Sequence, residues 1–259
     1  MCADHQTMMP IIQPDILDEM NRLITAAEEQ SLLLRLIGGL AVRLRSGNFQ
    51  KFFEREYRDL DFVTEEKERR RVEPFFQMMG YESNRQFNLL NGMKRQIYQD
   101  PNSERHVDIF VGTFEMCHKL PMNNRLHLDP VTVPLAELLL SKAQIVELNR
   151  KDALDIASIL LYNETGHDDD NQINLDYIAQ LCSQDWGLYK TTSINLKRVE
   201  EIVSEEKLNL TEAERGLIKK RISEIDQMFA AMPKSLAWQM RDKVGTRVRW
   251  YEEVEEVAR

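Results

Sequence analysis

Leu36-Ile37-Gly38-Gly39-Leu40-Ala41-Val42-Arg43-Leu44-Arg45 and, after a polar and aromatic interval, Arg58-Asp59-Leu60-Asp61-Phe62 are the stretches on which the fold turns. An apolar run stopped by two glycines predicts a buried strand over 32–37 and then a short helix carrying Leu40, Ala41 and Leu44. Gly38 and Gly39 lack Cβ atoms, so their backbone N–H groups can approach a polyphosphate closely. Arg43 and Arg45 follow on the same helix, near any phosphate bound there, or stand as solvated surface arginines. A second strand over 54–63 puts Asp59 and Asp61 on one side, with Leu60 and Phe62 facing a core. Two carboxylates on one face suit Mg²⁺, which combines carboxylate with substrate phosphate oxygens. A third carboxylate further along would complete such a site.

Working outward, Ile16, Leu17, Met20, Leu23, Ile24 and Ala27 recur at helical spacing and predict an amphipathic helix over 15–30. The segment 65–80 reads as a helix opening in a charge run and ending at Gly80. Arg69, Arg70 and Arg71 in that run fit a solvated face with i,i+4 partners, or a nucleic-acid contact. Asn91-Gly92 between 87–90 and 93–99 predicts a β-hairpin, because Asn-Gly accepts positive φ at both turn positions. Asp100-Pro101-Asn102-Ser103 predicts another turn, and 106–111 a strand with Val107, Ile109 and Val111 on one face. Asp108 then lies on the opposite face, where the third carboxylate is wanted; a hydrogen-bonded strand-edge role is the alternative. A short strand is expected at 125–128.

From Pro134 onward the periodicity is helical. Helices are expected around 135–146, 150–161, 175–183, 196–206, 211–232 and from 236 to the C-terminus. Asn149 is placed to cap the second of these with Asp152 at its third position, and Thr211-Glu212-Ala213-Glu214 forms a capping box. Strand patterns stop after about residue 133, so the boundary is placed near Asp129, with an α/β domain over 1–129 and a helical domain over 130–259.

The 259 residues are 42% hydrophobic and 30% charged with 10 Gly and 8 Pro, which predicts a folded chain with disorder only at its ends. A net charge of -9 argues against broad, sequence-independent DNA binding, which needs a basic surface. Cys2, Cys117 and Cys182 are few, odd in number and far apart, so a disulfide framework is not expected and a reducing cytoplasm is. No run of about 18 apolar residues occurs, and 1–14 lacks the order of a signal peptide, so a membrane location is not expected. Cys117-His118 has no partner at zinc spacing. His106 reads as a strand-surface residue beside an oxygen site.

The ordered set IGGLAVRL (37–44), YRDLDF (57–62), HVDIF (106–110) and LAELLLSKAQIVELNRKDALDIASILL (135–161) resembles the nucleotidyltransferase superfamily with the polymerase-β-like fold, and within it the AbiEii/AbiGii toxin-like branch of bacterial proteins. The resemblance implies an α+β fold: a small mixed β-sheet nucleotidyltransferase domain flanked by helices, then an α-helical domain, with the active site in the cleft between them. It implies transfer of a nucleoside monophosphate from a nucleoside triphosphate to an RNA, protein or small-molecule acceptor. A cognate antitoxin is the implied partner. Asp59 and Asp61 would hold two Mg²⁺ (or Mn²⁺) ions, with Asp108 as third ligand and base toward the acceptor hydroxyl. Gly38, Gly39, Arg43, Lys142, Lys151 and Asp152 would contact the nucleotide. Lys142 also reads as a surface lysine, and Asp152 as a capping residue. One departure stands out: many relatives carry Ser or Thr soon after the first glycine, whereas Leu40 follows Gly39 here and the next hydroxyl is Ser46. A nucleotide- or partner-binding module of the same fold without turnover is the alternative function, and a purely structural role for the acids a third.

Overall fold

Amphipathic helical runs and short branched or aromatic runs alternate in the first half of the chain, and the computed structural model assembles them into a mixed α+β fold. Residues 11–47, 56–205 and 207–253 are described. The elements are, in order, α1 (Ile16–Glu29), β1 (Leu34–Ile37), α2 (Gly38–Arg45), β2 (Leu60–Thr64), α3 (Arg69–Met78), β3 (Glu82–Ser83), α4 (Arg85–Asn91), β4 (Arg95–Gln99), β5 (His106–Val111), β6 (Thr113–Glu115) and β7 (Lys119–Pro121). There follow α5 (Leu135–Ala143), α6 (Arg150–Tyr162), β8 (Thr165–Gly166), β9 (Ile173–Asn174), α7 (Leu175–Gln184), α8 (Trp186–Val203), α9 (Glu212–Ala231) and α10 (Leu236–Val244). Among the described residues no helix is long and apolar enough to cross a membrane.

The chain divides into two compact units that do not follow sequence order. The first comprises Met1–Leu36, Glu56–Thr113 and Met122–Thr132; the second comprises Ile37–Arg55, Phe114–Pro121 and Val133–Arg259.

The first unit is built on a five-stranded sheet of order β1-β2-β5-β4-β3. β2 and β5 are parallel, whereas β4 runs antiparallel to β5 and to β3, so the sheet is mixed. Val107 and Ile109 of β5 and Leu60 and Phe62 of β2 are fully buried, as are Val72 and Phe76 of α3 and Leu23 of α1. Phe76 stacks on Tyr98 at 4.7 Å between ring centroids and meets Tyr81 edge-on at 5.8 Å. The buried carboxylate of Glu19 is fully matched: Arg22 donates to both of its oxygens at 2.7 and 2.8 Å, and the Tyr81 hydroxyl donates at 2.8 Å. Burial, with Glu19 beside it, pushes the Tyr81 hydroxyl pKa far up, so it stays a neutral donor.

The second unit is mainly helical. α6 packs against α5, α8 and α9, and α2 against α5 and α6. Polar side chains tie off helix ends here: Arg221 of α9 donates to the carbonyls of Leu160 and Leu161 at the end of α6, and Asn195 of α8 to those of Ala143, the last residue of α5, and Ile145 beyond it. Such bonds satisfy carbonyls that a helix terminus leaves without an intrahelical donor.

Five sequence expectations need correction. The hairpin at 87–99 is absent: Phe87–Leu90 lies in α4, and Gly92 has φ -61°, in the helical region. Asn84 caps α4 by accepting from Phe87 N, and the Asn88 side chain bonds both N and O of Ile97 at 2.7 and 3.1 Å. Asn88 thereby satisfies the edge of β4 that a hairpin partner would have taken. Residues 125–128 form turns instead of a strand, because Arg125 N and Leu128 N bond back to Met122 O and Arg125 O. Strands also continue past 133 as the parallel pair β8–β9. Finally, α8 begins at Trp186, ten residues before the predicted start, because Asp185 caps it by accepting from Leu188 N. The strand predicted from 54 begins at Leu60, and its predicted residues 54 and 55 lie outside the described residues, as do Cys2 and 254–259.

Candidate functional site

Alternation in β2 decides which side chains share a face. Leu60 and Phe62 are buried, so Asp61 takes the opposite side and is half-buried; Asp59, also half-buried, lies just before the strand begins at Leu60. β5 runs parallel with Asp61 in register with Asp108, which makes these carboxylates neighbours on one face of the sheet. Asp108 is only 3% exposed.

A buried carboxylate needs a partner, and β4 supplies one. Ile97 lies opposite Asp108 and Arg95 opposite Phe110, so Arg95 reaches Asp108 along the diagonal of the antiparallel pair. Its Nε donates to Oδ1 at 3.1 Å and its Nη2 to Oδ2 at 2.9 Å. Two parallel bonds from a planar guanidinium form the strong bidentate arrangement. Arg95 is further held over the rings of Phe110 and Phe87, at 5.0 and 6.0 Å from their centroids.

Oxygen donors of this kind suit Mg²⁺ or Mn²⁺ better than a soft metal. Among the described residues, however, no three Asp, Glu, His or Cys side chains are grouped closely enough to hold a metal ion unaided. Asp61 and Asp108 fit as adjacent ligands and Asp59 as the next along, with phosphate oxygens and water completing the shell as Mg²⁺ sites commonly require. Arg95 competes with a cation for both oxygens of Asp108.

The remaining predicted residues belong to the second unit. Gly38 opens α2 with φ 76°, a left-handed conformation that costs other residues energy and glycine almost nothing. Gly39 follows within the helix, and Arg43 is half-buried on it. The first hydroxyl after the glycines, on Ser46, is buried; it donates to Val42 O at 2.7 Å and accepts from Ser158 Oγ at 2.7 Å. Lys142, in the last turn of α5, has Nζ 2.8 Å from Asp152 Oδ1 and 3.0 Å from the fully buried Asp155 Oδ2. Burial works against its charge, but Asp155 and Asp152 together outweigh that and raise its pKa. Asp152 also occupies the third position of α6, where its N–H donates to the Asn149 cap at 2.9 Å. The structure thus joins Lys142 and Asp152 to each other, while Lys151 is exposed. Comparison with models of known protein families finds no match, and comparison with curated protein sequences finds none either.

Arg95 is the site residue that sequence reading missed. Its signal was present in the turn between Gln99 and His106, where Asp100 accepts from Asn102 N and Ser103 Oγ. That turn joins β4 to β5 as a hairpin and brings Arg95 to Asp108. The Asn-Gly signal instead directed the pairing of β4 toward 87–90.

Proposed function

We propose that the chain is a metal-dependent nucleotidyltransferase that moves a nucleoside monophosphate from a nucleoside triphosphate to the hydroxyl of an RNA, protein or small-molecule acceptor. The observation that carries this reading is the register of Asp61 with Asp108 on neighbouring parallel strands, with Asp59 immediately before the first of them. Asp59, Asp61 and Asp108 would hold the cations, which when bound offset charge on the α-phosphate and on the entering and leaving oxygens. The acceptor oxygen attacks the α-phosphorus in line; the new P–O bond forms as the bond to pyrophosphate breaks. The hydroxyl proton passes to Asp108, one of whose oxygens Arg95 must first release. Phosphate contacts at Gly38, Gly39, Arg43, Lys142, Lys151 and Asp152 and a cognate antitoxin belong to the same proposal and rest on the sequence resemblance; a cytoplasmic location belongs to it too and rests on the few, scattered cysteines.

A second reading is favoured by the occupation of both Asp108 oxygens by Arg95 and by the burial of Ser46. In it the fold binds a nucleotide or partner without turnover. The two readings separate in one assay of the purified protein with α-labelled nucleoside triphosphates and Mg²⁺ or Mn²⁺. Label transferred to any acceptor eliminates the binding-only reading. Under either reading, Asp61→Asn is expected to weaken metal-dependent nucleotide binding, read by calorimetry, by about tenfold or more. Undiminished binding in this variant, with no transfer by the wild type, would overturn both.

A further inference from the structure

The first unit also carries a groove of about 780 Å³ between α3 and α4 with β4 behind it, lined by none of the three aspartates. One wall carries Arg69 and Arg70, whose helix continues along the groove through Glu73 and Gln77; the other carries Arg85 and Leu89, with Met93 just beyond. Recurrence at i, i+4 and i+8 on α3, and at i and i+4 on α4, turns one full stripe of each helix toward the same space. At its back lies Gln96, 7% exposed, whose amide donates to Gly92 O at 3.1 Å and whose Oε1 accepts from the Tyr98 hydroxyl at 2.5 Å. The back wall is therefore hydrogen-bonded in place.

Two properties of the walls bear on what could bind there. Charge is the first: in a protein of net charge -9, the groove presents three arginines against one glutamate. Among the described residues Arg69, Arg70 and Arg85 form no ion pair, although the next residue, Arg71, pairs with Glu68, and Arg22, Arg58 and Arg95 all have carboxylate partners. The second is apolar exposure: Leu89 is 86% and Met93 68% exposed. Singly, exposed apolar residues are ordinary, but two beside unpaired guanidiniums on a concave wall form a mixed recognition surface.

We infer that this groove docks an acidic amphipathic helical segment of a partner protein, its apolar face on Leu89 and Met93 and its carboxylates on Arg69, Arg70 and Arg85. An amphipathic helix lying in a groove between helices is a recurring mode of peptide recognition. Arginine suits it because a guanidinium takes a carboxylate with two bonds. A single-stranded nucleic acid fits less well. Its binding uses aromatic platforms and a basic field, whereas this wall offers aliphatic side chains on an acidic protein.

The test uses the full chain and a fluorescent peptide of glutamate and leucine, with leucines at i, i+3, i+4 and i+7. Fluorescence anisotropy is expected to show saturable binding, weakened about tenfold by Arg69→Glu combined with Arg85→Glu. Leu89→Ser with Met93→Ser is expected to weaken it comparably, and a peptide of the same composition with scattered leucines to bind at least about tenfold less tightly. Arg85, Leu89 and Met93 are exposed and Arg69 is half-buried, and each variant's thermal unfolding is compared with wild type. As a measurement on the unaltered protein, photo-cross-links from a photoreactive leucine in the peptide should map to α3 and α4. The inference is overturned if wild type does not bind the peptide, if cross-links fall elsewhere, or if the scrambled peptide binds equally. It is also overturned if a poly-U oligonucleotide binds as tightly and is indifferent to the leucine and methionine substitutions.

Discussion

Gly38 and Gly39 look equivalent in the sequence, yet only Gly38 takes a positive φ, 76°. Gly38→Ala is expected to lower stability by about 1–2 kcal/mol in urea unfolding, whereas Gly39→Ala carries no such backbone penalty. Arg95 and Asp108 test a different kind of residue effect. Removing Arg95 takes the bidentate guanidinium away from a carboxylate whose side chain is only 4% exposed, so Arg95→Ala should cost about 3 kcal/mol. The double variant Arg95→Ala with Asp108→Ala should cost clearly less than the sum of the two single changes, because each single change strands the other partner. Additive losses in chemical denaturation would mean that the bidentate pair contributes nothing. The facing of Asp61 and Asp108 was legible in the sequence, since alternation along a strand is local. Arg95 was not, because its position opposite Phe110 depends on which strand β4 chooses.

At the scale of elements, termini written in neighbouring residues were the most legible features. Asn149 and Thr211 cap α6 and α9 as expected, and Thr211 with Glu214 closes the full reciprocal box, with Thr211 N to Glu214 Oε2 at 2.8 Å. Thr211→Ala is expected to destabilise the protein by about 1 kcal/mol, read as a lower urea midpoint with an unchanged slope. Element type was less legible at 85–91. The apolar pattern there is short and fits strand or helix, and Asn-Gly is only a preference for a turn. The tertiary bonds of Asn84 and Asn88 to Ile97 decided for the helix, and the same decision leaves Leu89 exposed on the groove wall.

Within the second unit, and so for the stability of the whole molecule, His118 sets a pH dependence. It is buried, with Nε2 2.8 Å from Thr191 Oγ1, and the Asp185 carboxylate lies 3.9 Å from Nδ1. Burial lowers its pKa, more strongly than Asp185 raises it. Since the folded value lies below the unfolded one, the unfolded chain binds the extra proton more readily. The stabilisation is therefore complete above about pH 6.5 and is lost as the pH falls from there toward the folded pKa. Thermal unfolding followed between pH 8 and pH 5 (roughly the imidazole window) should show the midpoint decline, and His118→Gln should flatten that part of the profile. Nothing in the neighbours of His118 in sequence announces this environment, because Thr191 and Asp185 come from α8 and its cap.

The sequence by itself determined the α+β character, the caps of α6 and α9, the glycine turn into α2 and the facing of Asp61 and Asp108. Each of these follows from period, cap or alternation among residues close in the chain. Only the tertiary structure decided the strand order β1-β2-β5-β4-β3, the guanidinium that meets Asp108, the pairing of half-buried Lys142 with Asp152 and Asp155, and the groove between α3 and α4. These are pairings between residues distant in the chain. Several partners can satisfy the same strand edge or buried charge locally, and the choice among them is made by which arrangement closes the core with its polar groups matched.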